Sequence, residues 1–173
     1  VEQILLAEAR VAKRFWLEFK FLLPIHIAFP GRTPRAKDTA NRLLDIGYHH
    51  LATNVRKILE RQNVPTALGL LHVARNADSN PLVYDLMELF RSDVVDAEVL
   101  RFLRLKKNPV EGVEREVGHF LHEINERLER NYYLKDFKRC HTYRYYMELQ
   151  ILKFISAINH QKVFEPLHLP TRH

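Results

Sequence analysis

Cysteine, glycine and long apolar runs are scarce in this chain of 173 residues, which has one cysteine and five glycines. The single cysteine, Cys140, cannot form an internal disulfide, which fits a reducing compartment and predicts a cytoplasmic protein. Charged residues interrupt every apolar stretch before it reaches membrane-spanning length. Few glycines and few runs of Val, Ile or Thr argue against a β-rich fold. No Gly-rich phosphate loop, serine nucleophile elbow or His-Asp dipeptide occurs, which argues against three common classes of phosphate-binding or hydrolytic site.

Basic residues outnumber acidic ones, with 27 Lys and Arg against 21 Asp and Glu and a formal net charge of +6. This excess favours an anionic partner such as nucleic acid, although many ordinary enzymes are equally basic. The composition, 46% hydrophobic and 28% charged, is that of a globular protein. The length suffices for one domain with its own core, and we predict a single domain over residues 1–173.

Apolar residues recur at helical spacing in five segments, separated by prolines and capping residues. Pro24 ends the first segment, and Asp38 is expected to cap the second. The pattern predicts an all-α fold of five or six helices with an irregular tail over about 163–173. The predicted helices cover about 3–23, 39–63, 81–105, 110–130 and 137–160. Because Val1 opens inside an apolar-periodic segment without a cap, we expect a further N-terminal part to precede it.

The first predicted helix carries a glutamate, Glu8, on its apolar stripe. A carboxylate on an apolar face needs a charged partner or a metal. From the sequence alone, a boundary glutamate that pairs with an arginine is favoured over a metal ligand. The apolar members of the stripe are Ile4, Val11, Phe15, Phe19 and Leu22.

One imidazole and a pair of carboxylates provide the strongest chemical signal. Pro81 is expected to open a helix capped by Asn80. Asp85 and Glu88 then share a helix face, because residues three apart are neighbours. Two adjacent carboxylates repel each other unless a cation lies between them, and hard divalent ions prefer such oxygen ligands. The nearby His72 favours manganese within that class.

Two other groupings are weaker candidates. His119, His122 and Glu123 lack the residue order of the zincin motif, so a surface or helix-packing role is favoured over zinc binding. Tyrosines interleaved with bases near the C-terminus could stack on unpaired nucleotides, but helical spacing favours burial for some of them. This second group consists of Tyr132, Tyr133, Tyr143, Tyr145 and Tyr146 with Arg130, Lys135, Lys138, Arg139 and Arg144.

Four ordered segments resemble the catalytic domain of the CRISPR adaptation integrases. Residues 8–16, Glu-Ala-Arg-Val-Ala-Lys-Arg-Phe-Trp, are similar to that family's Glu-Gly-x-x-Ala-x-x-Tyr-Trp helix. Residues 35–48 resemble its Arg-Pro-Pro-x-Asp-x-x-Asn-x-x-Leu-x-x-Gly-Tyr segment, and 67–72 resemble its Gly-Phe-Leu-His element. Residues 82–91, Leu-Val-Tyr-Asp-Leu-Met-Glu-Leu-Phe-Arg, follow its Leu-x-x-Asp-Leu-Met-Glu-x-Phe-Arg stretch. The likeness covers about residues 4–107 well.

The resemblance implies a site and a set of partners. Glu8, His72 and Asp85 would hold Mg²⁺ or Mn²⁺, with Glu88 as a further ligand or supporting acid, and His72 could instead carry a proton. The family acts on spacer and repeat DNA, in the prokaryotic cytoplasm, as a homo-oligomer with a small adaptation partner subunit. The family's N-terminal β-rich domain is not part of this chain, so an excised catalytic domain and a naturally short form both remain open.

The sequence therefore predicts a divalent-metal-dependent DNA integrase and endonuclease, in which a DNA 3′-hydroxyl or water attacks a phosphodiester. The first alternative is a non-catalytic helical DNA-binding module whose acids are structural. The second is an all-α metallohydrolase acting on a small phosphate ester. The residues expected to contact DNA are Arg32, Arg35, Lys37, Asn41, Arg75, Tyr84, Arg91, Lys106 and Lys107.

Overall fold

Six α-helices, one π-helical turn and a two-stranded hairpin make up the described part of the chain. The computed structural model describes residues 2–67, 69, 80–106 and 113–170, without the side chains of 2–5, 7 and 8. The elements are α1 (Glu2–Leu22), α2 (Thr39–Arg61), α3 (Pro81–Met87), the π turn (Ser92–Asp96), α4 (Ala97–Arg104), α5 (Val113–Glu129), β1 (Asn131–Leu134), β2 (Arg139–Thr142) and α6 (Tyr143–Asn159). The predicted all-α fold is confirmed, with the hairpin as an addition.

Helix α2 is the central element of the core. Its N-cap, Asp38, accepts a hydrogen bond from the backbone N–H of Asn41 at 3.0 Å, as the sequence predicted. Leu43, Leu51 and Val55 recur along one buried stripe of the helix. Five elements pack against α2, namely α3, α4, α5, α6 and the π turn. None of the described helices is long and apolar enough to cross a membrane.

Gly47 is where the π turn approaches α2 most closely. A Cβ atom at this position would lie 2.5 Å from Cγ1 of Val95, and 3.5 Å from side-chain atoms of Phe120 and Ile124. Val95 is fully buried and β-branched, so its side chain cannot turn away easily. The lack of a side chain at Gly47 therefore sets the spacing between α2 and the π turn.

Helix α1 presents a different face from the one predicted. Val11 and Leu22 were expected to point inward, but they are 70% and 49% exposed. Phe19, in the last turns of this helix, and Leu23, directly after it, are buried. The reason lies in the following loop, which returns Phe29 to the helix so that its ring lies 5.5 Å from the ring of Phe19. A contact made by a loop after a proline is not visible in the spacing of the helix itself.

The predicted single helix over 81–105 is three pieces. After α3 the backbone makes a turn over 88–90 and then the π turn, before α4 continues the helical path. The π turn adds one residue to a helical turn, and this lets Asp93 and Asp96 point at two different neighbouring helices. Asp93 accepts a hydrogen bond from the hydroxyl of Tyr143 in α6, and Asp96 accepts one from Tyr48 in α2.

The predicted last helix, 137–160, begins six residues late because a hairpin occupies 131–142. The strands pair antiparallel, with Tyr132 opposite His141 and Leu134 opposite Arg139. Tyr132 and Leu134 are buried, so their side of the hairpin lies against the domain. Helix α6 starts at Tyr143 because Thr142 caps it, its side chain accepting a hydrogen bond from the backbone N–H of Tyr145 at 3.2 Å.

We expect Gly47→Ala to lower the free energy of unfolding by about 1–3 kcal/mol, because the added methyl overpacks the contact with Val95. Gly118→Ala in α5 is the matched control, since a Cβ there meets nothing within 4 Å. The control should gain about 0.5–1 kcal/mol from helix propensity. Urea unfolding of both variants measures the difference. Equal gains in the two variants would contradict the close packing described here.

Candidate metal and nucleic-acid site

Helix α3 carries the predicted carboxylate pair on its outward side. Leu82, Val83 and Leu86 are buried against the core, which turns the other face of this short helix toward solvent. Asp85 is half-buried and Glu88 is exposed. The backbone stays right-handed helical through Glu88, so the two acids keep the i, i+3 relation that the sequence predicted.

The start of α3 is tied to the end of the segment that follows α2. Pro81 is the first helical residue and Asn80 is the N-cap, as predicted, but the side chain of Asn80 makes no capping bond. Its Oδ1 instead accepts a hydrogen bond from the hydroxyl of Thr66. The backbone N–H of Leu82 also donates to the carbonyl of Thr66 at 3.3 Å. Thr66 and Asn80 are thereby held together at the start of the helix that carries Asp85.

Arg91 links the acidic helix to α2. Its Nε lies 2.8 Å from Oε2 of Glu88, and its guanidinium lies 5.9 Å from the ring centre of Tyr48. On the same ring lies the guanidinium of Arg32, at 5.2 Å. Both distances are within the range of a cation–π contact. One aromatic ring thus connects the acid pair with the loop that precedes α2.

Tyr48 donates its hydroxyl hydrogen to the buried carboxylate of Asp96 in the π turn. Asp96 is 3% exposed, and its second oxygen, Oδ2, has no hydrogen-bond partner among the described residues. Burial raises the pKa of Asp96 to about 6, although the hydrogen bond from Tyr48 and the charge of Arg91 act in the opposite direction. Burial, together with the charge of Asp96, also raises the pKa of Tyr48 well above its usual range.

The loop before α2 is held by two side chains of that helix. Asn41 is completely buried; its Oδ1 accepts from the backbone N–H of Thr33 and from Arg32, and its amide donates to the carbonyl of Gly31. Asp45 accepts from the guanidinium of Arg32 at 2.6 Å and from the backbone N–H of Arg35 at 2.8 Å. Arg35 adopts a positive φ of 64°, an uncommon conformation for a residue with a side chain. These bonds hold a tight turn that leaves the side chains of Arg35 and Lys37 exposed.

The structure assigns internal contacts to three residues that were expected to bind DNA. Asn41 has no exposed surface, so it shapes the loop and does not reach a ligand in this conformation. Arg32 is 13% exposed in its side chain and pairs with Asp45. Lys106 pairs with Glu116 at 2.7 Å and lies over the ring of Phe102. In each case a buried or half-buried acceptor nearby satisfies the polar group, which sequence spacing does not reveal.

The other predicted contacts divide into exposed and undescribed residues. Arg35, Lys37 and Tyr84 are exposed, and Arg91 is half-buried beside Glu88. His72, Arg75 and Lys107 lie outside the described residues, as does the side chain of Glu8, whose backbone belongs to α1. The proposed convergence of Glu8, His72 and Asp85 on one point therefore stays a prediction.

Sequence reasoning missed Tyr48, Asp96 and Asp45. The sequence could have indicated two of them. Asp45 and Tyr48 follow Asn41 at helical spacing, which places all three at the same end of α2. Asp96 gave a weaker signal as an acid at the end of the apolar run Val94-Val95. The pairing of Tyr48 with Asp96 joins residues 48 positions apart, and nothing local predicts it.

The histidine cluster on α5 makes packing contacts. Nε2 of His119 lies 3.3 Å from Oε1 of Glu123, and its ring lies 5.3 Å from the ring of Phe102. Glu123 also pairs with Arg101 of α4, which binds the buried Glu98 as well. Among the described residues, no group of three or more His, Cys, Asp or Glu side chains could hold a metal ion.

Comparison with known proteins assigns the family. Residues 1–134 match the family model described as CRISPR associated protein Cas1. The chain belongs to the Cas1 family. The four motifs that suggested this family from the sequence all lie within the matched residues, and the resemblance is thereby confirmed.

The relatives of this Cas1 family member include proteins about twice as long. It is 34% identical over 121 residues to the CRISPR-associated endonuclease Cas1 1 of Archaeoglobus fulgidus, covering 66% of this chain and 35% of that protein. It is 27% identical over 165 residues to the CRISPR-associated endonuclease Cas1 of Mycobacterium tuberculosis, covering 87% of this chain and 48% of the relative. In both cases the chain spans less than half of the relative's length.

Solved structures support the fold. A casposase bound to its integration product superposes with a TM-score of 0.80 at 21% identity, covering 93% of this chain and 48% of the casposase. At that identity the likeness establishes the helical fold and does not by itself transfer an activity.

We expect the stability of the chain to depend on pH through Asp96. The folded chain holds this proton more tightly than the unfolded chain, whose pKa is near 3.8. The resulting stabilisation is present below about pH 4 and is lost as the pH rises through about 6. The loss should be on the order of 2–3 kcal/mol, since one pKa unit corresponds to about 1.4 kcal/mol.

Asp96→Asn keeps an acceptor for Tyr48 and removes the titration. Relative to wild type, this variant should therefore be more stable at pH 7.5 than at pH 4.5 by about that amount. Urea unfolding of both proteins at the two pH values provides the measurement. A stability difference that does not change with pH would contradict a raised pKa at Asp96.

Proposed function

We propose that this chain is the catalytic helical part of a CRISPR-associated DNA integrase and endonuclease. The main support is the outward acid pair of α3. Arg91 contacts both this pair and the ring of Tyr48, and the same ring contacts the exposed basic loop through Arg32. A phosphodiester held by Arg35 and Lys37 would lie on the side of the domain where Asp85 and Glu88 are presented. The names of the relatives, endonuclease Cas1 and casposase, support this reaction class.

A divalent metal suits the proposed donor set. Glu8, His72 and Asp85 would supply two carboxylates and one imidazole, a set that fits Mg²⁺ or Mn²⁺. When bound, such an ion neutralises charge on the phosphate and lowers the pKa of the attacking oxygen. Glu88 would be a further ligand or would support the others, since Arg91 holds its carboxylate at 2.8 Å.

The side chains of this chain would bind, orient and move a proton without forming a covalent intermediate. A DNA 3′-hydroxyl, or water in nuclease activity, attacks the phosphorus, and the bond from phosphorus to the leaving oxygen breaks. As the alternative to binding the metal, His72 would take the proton of the attacking hydroxyl, because an imidazole titrates near neutral pH. Arg35 and Lys37 hold phosphates and carry no sequence information. The exposed ring of Tyr84, next to Asp85, would lie beside a nucleotide at the reacting phosphate.

The complete reaction belongs to a longer assembly. Because the chain spans less than half of its curated relatives, insertion of a spacer into a CRISPR array is proposed for the full-length protein. A homo-oligomer and a small adaptation partner subunit are part of this proposal, and a cytoplasmic location stays a prediction. The isolated chain should retain DNA binding and metal-dependent nicking of branched DNA.

Asp85→Asn should abolish Mn²⁺-dependent nicking and strand transfer on branched DNA while DNA affinity stays equal or rises slightly. The substitution preserves volume, removes the charge that attracts the metal, and removes one repulsion with phosphate. Asp93→Asn in the π turn is the matched control, because it makes the same chemical change away from the proposed ligands. Full activity in Asp85→Asn would remove Asp85 from the mechanism. Loss of DNA binding together with activity would favour the non-catalytic DNA-binding module.

A further inference from the structure

The β1–β2 hairpin carries charge that the proposed reaction site does not use. Between Arg130 and Arg139 the chain has four cations and one acid, Asp136. Asp136 is already engaged, since it accepts hydrogen bonds from the backbone N–H and from the ring Nδ1 of His168, both at 2.9 Å. The hairpin tip is therefore strongly positive.

The hairpin cations form a cluster without ion pairs in the described part of the chain. Arg42, Arg91 and Arg144 each form an ion pair with a glutamate. Lys135, Lys138, Arg139 and Arg130 form no ion pair with any described residue, and all four are exposed. Cations that lie together without ion pairs are available to an anionic ligand. Their attraction to its phosphates would increase the affinity of binding.

An exposed aromatic ring lies among these cations. Phe137 is 43% exposed in the four-residue turn between the strands, with lysines on either side. The exposed part of this phenyl ring offers a flat face for a nucleic-acid base. Aromatic side chains beside a positively charged groove are the usual elements of single-strand binding.

The hairpin is rooted in the part of the domain that carries the acid pair. The ring of Tyr132 lies 5.5 Å from that of Tyr143, which lies 5.4 Å from that of Tyr146. The ring of Tyr146 in turn lies 6.3 Å from that of Phe90, two residues after Glu88. A continuous row of buried rings thus fixes the hairpin relative to α3.

We infer that the hairpin is a second DNA-binding site, in which Lys135, Lys138 and Arg139 hold phosphates and Phe137 stacks on an unpaired base. This inference rests on the proposed function, because it assumes that DNA is the substrate. It adds a contact remote from the acid pair, for the single-stranded or frayed part of that substrate. Its fixed distance from α3 would set how far an unpaired strand extends from the reacting phosphate.

The salt dependence of binding tests the phosphate contacts. With Lys135→Gln, Lys138→Gln and Arg139→Gln combined, the slope of log affinity against log salt on forked DNA should fall by roughly two units. Lys57→Gln, Lys153→Gln and Lys162→Gln combined form the control, with the same loss of charge at three exposed lysines elsewhere. Arg35→Gln with Lys37→Gln provides the reference for the loop. Wild-type slopes in the hairpin variant, or equal reductions in the hairpin and control variants, would overturn the inference.

The stacking contact is tested separately. Phe137→Ala should weaken binding of forked or single-stranded DNA by about fivefold or more and leave blunt duplex binding nearly unchanged. Ile158→Ala, at another exposed apolar residue, should change neither. An equal effect of Phe137→Ala on forked and blunt DNA would overturn the stacking role.

The single cysteine reports where DNA lies. Cys140 is exposed on β2, next to Arg139, so saturating forked DNA should slow its alkylation by a maleimide several-fold. An unchanged rate while wild-type protein binds DNA would place the DNA elsewhere and overturn the inference. A wild-type chain that binds no DNA would overturn the proposed function and this inference together. Protection of Cys140 with a fully active Asp85→Asn would overturn only the proposed catalytic assignment.

Discussion

The hydrogen bond from Tyr48 to Asp96 is the interaction on which the arrangement of the candidate site depends. It joins the central helix α2 to the π turn across 48 residues of sequence. Because the bond fixes the ring of Tyr48, it also fixes the surface on which Arg32 and Arg91 lie. Arg32 belongs to the basic loop and Arg91 to the acidic segment. Because both arginines contact the ring of Tyr48, this ring sets the position of the two halves of the candidate site relative to each other.

This arrangement requires a carboxylate in the core. A buried, ionised acid is costly unless hydrogen bonds and nearby cations compensate it. Asp96 has one hydrogen bond and the charges of Arg91 and Arg32 nearby, and its pKa is still raised. The π turn makes the burial possible, since the extra residue in the helical turn directs Asp96 toward α2 while Asp93 reaches Tyr143. Stability is thus lower near neutral pH than it would be with a neutral residue. In return, the two segments that carry the candidate site are held in a fixed relation.

Local signals in the sequence predicted the parts of the fold that local chemistry determines. Asp38 begins α2 and Pro81 begins α3 where capping rules indicated, and both acids of α3 share one face. The hairpin was missed because its strands have four residues each and its turn contains neither Gly nor Pro. The tyrosines of β1 and those at the start of α6 also imitate helical spacing. The internal role of Asn41 depends on a loop that folds back on the helix, and only the three-dimensional arrangement shows that its amide is satisfied.

We propose that Glu8, His72 and Asp85 form one divalent-metal site on this domain. Electron spin echo envelope modulation of bound Mn²⁺ tests it directly, because a coordinating imidazole nitrogen produces a distinctive modulation. We expect one tightly bound Mn²⁺ per chain, with a nitrogen modulation that disappears in His72→Ala and persists in His119→Ala. Weaker Mn²⁺ binding is expected in Glu8→Gln and Asp85→Asn, since each removes one charged oxygen ligand. A nitrogen modulation that survives in His72→Ala, or Mn²⁺ affinity unchanged in both carboxylate variants, would contradict the proposed site.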